Sequence, residues 1–579
     1  MLLATAAVLV SLRLSLQAPS AGDSTIVHGP LGARLDSGFT RLAAAGFSGG
    51  VLVARGDGVV LARGYGWSDR ADDRPFDVHT LVSLGSITKQ FTAAAILALE
   101  QEGKLHTTDS LSRFFQGVPA DKADITLHQL LTHTAGLRSD YAETDYTPVS
   151  RDEYVARIFA APLLSPPGQV HRYSNAGYSL LGAIVEIASG EPYEHYLHDH
   201  LFIPAGMTET GYRIPAWPAG VAPHGYVQDR DWGTMLEKPW ATDGPYWQLR
   251  ANGGIESTLW DMYRWHLALG SDAVLNAAER KKLFTPWVPE EGGMSYYAYG
   301  WAVMKTPRGT TLITHNGGNG IFVAELQRFV DESVYVFIAS SVAEQTATRW
   351  LDWADATIFG RPAPMPPPVV RLSATALAAL AARYRLASGE EVTLRPLNGQ
   401  LAAVAGGPAT LSLLNGGDTA ATEFARQANA RADSLAGATV RGEYQVVADA
   451  FGGRVPVGKV EEQEKDLMAD RVDRLGPFQR YVVVGTTPTP DGDWITHVRM
   501  VFERGAVYNR YIWGPRGRLQ GIDAGPVGPE TSLVALSADH WVSLLPDGGT
   551  GVEVEFTPAA MSITSGKQRV TATRVTRTN

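Results

Sequence analysis

Alternation and runs of apolar residues divide the chain into stretches of different character. Val51-Leu52-Val53 and Val59-Val60-Leu61 flank Asp57-Gly58, a pair suited to a tight turn, so residues 49–64 predict a β-hairpin. From about Ser86 to Leu269 the pattern becomes helical. Its clearest piece opens at Ser86 and runs to a glycine stop at Gly103. Gln90 to Leu99 carries no charge, which predicts a helix buried on most sides. A second apolar helix is predicted over Tyr178–Ala188, after the turn-forming Pro166-Pro167-Gly168. Strand patterns return at Thr311–Thr314, Ile321–Phe329 and Val334–Ala339. Early and late strands around a helical insertion predict an α+β domain. One antiparallel sheet faces a mostly helical lobe, and a cleft between the two is a natural place for a site.

A proline-rich segment, Arg361-Pro362-Ala363-Pro364-Met365-Pro366-Pro367-Pro368, follows. It reads as a stiff, extended linker over 361–369. This places one domain at 22–360 and a β-rich accessory region at 370–579. Residues 370–413 hold one helix and short strands, 416–470 looks helical, and 480–522 alternates again, as in Val498-Arg499-Met500-Val501-Phe502. The expected layout is a barrel from 370–415 and 530–579, interrupted by an α+β insert at 416–527.

Length and composition narrow the reading. At 579 residues the chain is too long for one core. Its net charge of −10 is spread along the sequence with no Lys/Arg run, which argues against nucleic acid as a partner. The absence of Cys removes disulfides, thiol catalysis and Cys-ligated zinc. Leu2 to Leu12 is an apolar run, followed by Arg13 and small residues through Ala21. It is too short for a bilayer, which needs about 20 residues, and fits a signal peptide over 1–21. Export to a periplasmic or extracellular place is expected, with no stable membrane span.

Candidate chemistry begins at Ser86-Ile87-Thr88-Lys89. Residues three apart are neighbours on one helix face. A lysine in the first turn opposes the helix dipole, and burial together with that positive field pushes it towards its neutral, proton-accepting form. The plainer reading is a Ser N-cap beside a lysine reaching to solvent. Tyr173-Ser174-Asn175 precedes the second apolar helix. A Tyr hydroxyl can relay protons if a neighbouring cation lowers its pKa, and an Asn amide can hold both Lys and a substrate carbonyl; the same triplet also serves as a capping turn. His315-Asn316-Gly317-Gly318 ends the strand Thr311–Thr314, where two glycines let a substrate backbone approach. The N–H of Gly318, with that of Ser86, could form an oxyanion hole.

In this order and spacing the three segments resemble the family of serine β-lactamases and D-alanyl-D-alanine peptidases, above all its class C and carboxylesterase-like branch. The likeness extends through Gly85–Ala93, Gly103–Leu105, Ile125–Leu137, Leu201–Met207, Gly253–Thr258 and Tyr299–Trp301, and covers about residues 38–345. It implies a β-lactamase/transpeptidase-like catalytic domain and an acyl-enzyme cycle, with Ser86, Lys89 and Tyr173 as catalytic residues. Asn175, His315, Asn316, Gly317 and Gly318 are then the substrate-binding set, and Ser86 with Gly318 the oxyanion hole. No cofactor or metal is expected. The C-terminal region is weakly similar to barrel appendages on relatives of that family, and 416–527 to a small cone-shaped α+β fold.

Two departures matter. His315 stands where many members carry Lys, and Asn316 where Thr or Ser is usual, so β-lactamase activity is the alternative and an ester or peptide-like amide the expected substrate. A non-catalytic penicillin-binding or ligand-sensing protein is the rival of another class. Trp232, Trp240, Tyr246 and Trp247 could wall an acyl pocket or belong to the core. Gly46-Phe47-Ser48-Gly49-Gly50 fits G-x-S-x-G, but a strand follows it where that motif needs a helix. His195, His198 and His200 lack the pattern of a zinc site and read as a solvated helix end.

Overall fold

A computed structural model describes residues 24–290, 293–416, 423–489, 493–514, 517–525 and 528–575. The segment read as a signal peptide lies outside them. Contacts divide the chain into two compact units. One holds the residues up to Asp36 with Ser48–Thr348, and the other Ser37–Phe47 with Arg349 onward.

The first unit is built on nine strands: Ile26–Val27 (β1), Gly49–Arg55 (β2), Gly58–Tyr65 (β3), Val288–Pro289 (β4), Ser295–Tyr297 (β5), Ala302–Lys305 (β6), Thr311–Gly318 (β7), Val323–Phe329 (β8) and Val334–Ser340 (β9). They pair in the order β1-β3-β2-β9-β8-β7-β6-β5-β4, antiparallel throughout. This is the sheet-plus-helical-lobe arrangement that the patterning predicts. The hairpin turn falls on Gly56-Asp57, one residue earlier than the sequence suggested, with Arg55 opposite Gly58. Gly56 takes φ +58°, which a glycine adopts without strain.

Two helices carry the lobe's contribution to the site. Thr88–Gln101 (α1) follows a single 3-10 turn at Gly85–Ile87, and every residue from Thr88 to Leu99 is buried. Phe91 anchors it, its ring 4.8 Å from Trp265 and 5.1 Å from Phe202. Asn175–Ser189 (α2) starts where the Ser174 hydroxyl accepts from the Gly177 N–H at 3.1 Å, and stops at Gly190, which is left-handed at φ 81°. It packs against α1. Gly182 permits a close approach, since an added Cβ would lie 2.4 Å from that of Ala251. This fixes the Ala251–Gly254 loop beside α2.

In the second unit, Arg383–Arg385, Glu391–Leu397, Gln400–Ala405 and five strands between Glu530 and Arg574 form a closed eight-stranded barrel. Its core includes Leu401, Leu533, Trp541 and Ile563. Between the third and fourth barrel strands the chain forms helices Glu423–Arg441, Tyr444–Ala450 and Val457–Leu475 and a four-stranded antiparallel sheet. Val498, Met500, Tyr511 and Trp513 from that sheet pack with Ala428, Ala432 and Leu435. The proline-rich segment has no regular structure; its Pro364 and Pro366 carbonyls accept hydrogen bonds from Trp353 and Arg41.

Candidate active site

The turn Gly85–Ile87 brings Ser86 against the end of β7 by backbone contact. A Cβ added to Gly317 would lie 2.0 Å from the Leu84 carbonyl oxygen and 2.5 Å from the Ser86 nitrogen; one added to Gly85 would lie 2.2 Å from the Gly318 nitrogen. Only glycine allows this approach, and Gly85 also sits at φ +48°. Strand β7 pairs with β6 as far as Thr314 and with β8 as far as Gly318. From His315 to Gly318 one strand edge is therefore without a neighbouring strand. Ser86, Tyr173, Tyr297, His315, Asn316, Gly317 and Gly318 line a cavity of about 610 Å³ along that edge.

Behind Ser86, Lys89 is fully buried on the first turn of α1. Its Nζ lies 3.0 Å from Ser86 Oγ, 2.8 Å from Asn175 Oδ1 and 2.8 Å from the Asn252 carbonyl oxygen. Burial lowers its pKa from 10.5 to about 7, with Asp140 and Asp145 pulling the other way. The donor count then decides what the amine can do. The Asn175 amide oxygen and the Asn252 carbonyl can only accept, so they take both N–H groups of a neutral amine. The remaining lone pair faces the Ser86 hydroxyl. The Asn252 carbonyl is held in place because its side-chain amide donates to Ser179 Oγ and the Gln248 carbonyl.

Tyr173 enters immediately before α2. Its ring centroid is 4.8 Å from Lys89 Nζ. Burial raises its pKa, against the opposing effect of a hydrogen bond with Ser86, the reverse of the lowering by a neighbouring cation that the sequence led us to expect. The phenol is therefore neutral at pH 7 and its proton is available. The Tyr173 ring lies 4.2 Å from that of His133, tilted by 39°, and His133 accepts the Ser174 N–H at Nδ1.

His315 lines the cavity, and its ring is held by the protein's own groups. It is buried, and both ring nitrogens are engaged: Nδ1 lies 2.6 Å from the Asn316 carbonyl oxygen, and Nε2 lies 3.0 Å from the Tyr297 hydroxyl. A carbonyl only accepts, so Nδ1 carries the proton and Nε2 accepts from Tyr297. Burial, with Lys89 nearby, lowers its pKa to about 4. The ring is neutral and committed to the protein.

The structure thus brings Ser86, Lys89, Tyr173, Asn175 and the His315–Gly318 segment together. Asn175 contacts Lys89 rather than lining the cavity. None of Trp232, Trp240, Tyr246 and Trp247 lines it either; Trp240 and Trp247 are in the core, with Trp232 and Tyr246 packed on it. His198 pairs with Asp199, and His200 with Glu191. Sequence reasoning missed Asn252, Tyr297, His133, Asp140 and Asp145. His133 and Asn252 lie in or beside quoted motif segments. Asp140 and Asp145 had no signal beyond charge on a loop.

A second perturbed acid lies outside this cluster. Glu256 is buried, with Oε1 lacking a hydrogen-bond partner, and burial raises its pKa from 4.5 to about 8 against a hydrogen bond with Ser83. Between pH 4.5 and 8 the folded state holds a proton that the unfolded chain has lost, so this group's contribution to stability falls as pH rises through that window. Glu256→Gln should therefore gain stability over the parent at pH 8.5 relative to pH 5, by on the order of a few kcal/mol. Denaturant midpoints at the two pH values check this. A difference independent of pH would contradict it.

A penicillin-binding protein of Bacillus subtilis (strain 168) is 28% identical over 337 residues, an alignment covering 55% of this chain and 74% of that protein. The crystal structure of a penicillin-binding protein from Bacillus halodurans is 26% identical, covers 55% of this chain and 98% of its own, and superposes with a TM-score of 0.47. The octameric penicillin-binding protein homologue from Pyrococcus abyssi covers 94% of this chain and 100% of its own, at a TM-score of 0.53 and 17% identity, a likeness of fold. The fold is that of the β-lactamase/transpeptidase class with a β-rich C-terminal region. The chain belongs to the beta-lactamase family, whose model matches residues 37–408.

Proposed function

We propose that the protein is a serine hydrolase that forms an acyl-enzyme at Ser86 and acts on an ester or a peptide-like amide. The observation that carries this reading is the Ser86–Lys89 pair: a hydroxyl 3.0 Å from a buried amine whose two other partners can only accept. In the first step Ser86 Oγ bonds to the substrate carbonyl carbon while its proton passes to Lys89 Nζ. The carbonyl oxygen becomes an oxyanion that accepts from the N–H groups of Ser86 and Gly318. As the tetrahedral species collapses, the bond to the leaving group breaks and that group takes a proton through the Tyr173 hydroxyl. Water then adds to the acyl ester, the acid leaves and Ser86 recovers its proton. His315 and Tyr297 act by holding the end of β7, without touching the reacting atoms.

The cavity disfavours a substrate carboxylate. Among its described lining residues there is no lysine or arginine, and His315 is neutral. A hydrogen bond to a charged group contributes about 1.5–3 kcal/mol, against about 1 for a neutral one. Uncharged esters and amides lose nothing by this. A panel of nitrophenyl butyrate, a D-alanyl amide and nitrocefin tests the reading. One of the first two should exceed nitrocefin in kcat/KM by at least tenfold; a tenfold lead for nitrocefin would make the protein a β-lactamase. Stable labelling of Ser86 with no turnover of any of the three would make it a binding protein, a reading that the relatives named for penicillin binding keep in view. Export rests on the apolar run Leu2–Leu12.

The backbone contact at Gly317 gives a further test. Gly317→Ala would force the Gly85–Ser86 turn away from β7 and separate the two oxyanion donors. The expected loss in kcat/KM is about 10²–10³, the usual cost of one such donor. A loss under threefold in a variant with unchanged melting temperature would refute that role.

A further inference from the structure

We infer that Asp140 is a positioning residue for the Ser86–Lys89 pair, setting the orientation of the Asn175 amide and placing a negative charge near Lys89. This rests on the proposed role of Lys89. The geometry is a continuous chain of hydrogen bonds. Asn175 Nδ2 donates to Asp140 Oδ1 at 3.2 Å, and Gln248 Nε2 donates to the same oxygen at 2.7 Å. Gln248 cannot turn its amide over, because its Oε1 accepts the N–H groups of Tyr141 and Ala142 at 3.3 and 3.1 Å. Asn175 cannot do so either while Asp140 is a carboxylate, which only accepts. Its Oδ1 is thereby aimed at Lys89 Nζ, 2.8 Å away. If that amide flipped, it would present N–H groups to the lysine. The amine would lose one of the two acceptors that turn its lone pair towards Ser86.

The charge has its own effect. The groups facing Lys89 from each element around it are His133, Asp140 and Asp145 in the segment between the helices Leu127–Leu131 and Arg151–Ala160, Tyr173 just before α2, Tyr178 in its first turn, and His315 on β7. Burial keeps both histidines neutral: His315 titrates near 4 and His133 is held well below 6.5, with Lys89 reinforcing each. Burial likewise keeps Tyr173 and Tyr178 protonated. Among the described residues, Asp140 and Asp145 are the groups whose charge favours the ammonium form. They oppose the burial that drives Lys89 to lose its proton. Asp140 alone joins charge and orientation, since no hydrogen bond links Asp145 to Asn175 among the described residues.

Three variants separate the two contributions through the pH dependence of kcat/KM on nitrophenyl butyrate. Wild type should show a rising limb centred near pH 7. Asp140→Asn keeps an acceptor oxygen for Asn175 and Gln248 but removes the charge. Its limb should move down by about one pH unit, a shift limited by the exposure of Asp140. Asp140→Ala should show the same displacement and a plateau kcat lower by about 10- to 100-fold, with KM changed less than kcat. Asp145→Asn should move the limb in the same direction without the loss in kcat. A limb that stays in place in Asp140→Asn, or a plateau equal in the Ala and Asn variants, overturns the inference. A wild-type limb that survives Lys89→Met would instead overturn the role of Lys89 on which it rests. Should Asp140→Ala fail to fold, the Asp140→Asn limb decides alone.

Discussion

Ser86→Ala is expected to abolish turnover, by a factor on the order of 10⁶ or to background, together with all labelling by a fluorophosphonate. The expectation follows from the lack of a substitute nucleophile at the right place. Ser86 is the hydroxyl 3.0 Å from Lys89 Nζ, on the turn that meets Gly317 and Gly318, and it opens onto the cavity. The natural control is Ser48, the serine of the other sequence pattern. Its side chain is buried, its hydroxyl accepts the Trp67 N–H at 3.1 Å, and its carbonyl accepts the Ser341 N–H. It leads into β2 rather than into a helix, as the pattern of residues 49–53 predicted. Ser48→Ala should cost about 1 kcal/mol of stability through that lost hydrogen bond and leave kcat/KM within a few-fold. Loss of activity in Ser48→Ala with retention in Ser86→Ala would reverse the assignment.

What was legible in the sequence and what was not follow from where each signal lies. The long strands β8 and β9 and the helix after Ser86 announce themselves because their burial is written as apolar runs. Ser86, Lys89 and Tyr173 were legible because their side chains sit in recognisable local segments, and the structure gathers those segments into one cluster. Of the two acceptors that orient Lys89, the Asn175 amide was legible in the Tyr-Ser-Asn segment, whereas the other is the main-chain carbonyl of Asn252. A carbonyl is present at every residue, so no residue type marks it. Asp140 acts through a single oxygen shared by two amides, and a lone aspartate on a loop looks like any solvated charge. The role of His315 depends on burial: exposed, it would be a weak anion partner, whereas beneath Tyr297 it is a neutral strut. The hairpin turn shifted by one residue because both Gly56 and Gly58 offered freedom, and the register of β2 on β3 selects Gly56 for the left-handed position.

Lys89→Met should lower kcat/KM by about 10²–10⁴, the range for loss of a general base, and should remove the rising limb near pH 7. Only the neutral amine can take the Ser86 proton, so wild-type activity grows as pH passes through the pKa of about 7, and a thioether has no such transition. The same substitution has a measurable consequence for folding. The pKa of Lys89 falls from 10.5 in the open chain to about 7 in the fold. Below pH 7 both states hold the proton, and the folded state bears the cost of a buried ammonium. Between pH 7 and 10.5 the unfolded chain still binds a proton that the folded state has released, so wild-type stability rises with pH across that window. The full span is on the order of 5 kcal/mol, at about 1.4 kcal/mol per unit. Methionine fills similar space without titrating, but it leaves the Asn175 amide oxygen and the Asn252 carbonyl short of a donor, at about 1–3 kcal/mol each. The absolute change in stability is a balance of these effects; its dependence on pH is not. Compared with wild type, Lys89→Met should be relatively most stable at pH 6–7 and lose that standing steadily towards pH 9.5. Denaturant titrations across this range, read beside the activity profiles, test both halves. A stability difference flat in pH would mean that Lys89 keeps its proton in the folded state, and it could not then be the base that accepts the proton of Ser86.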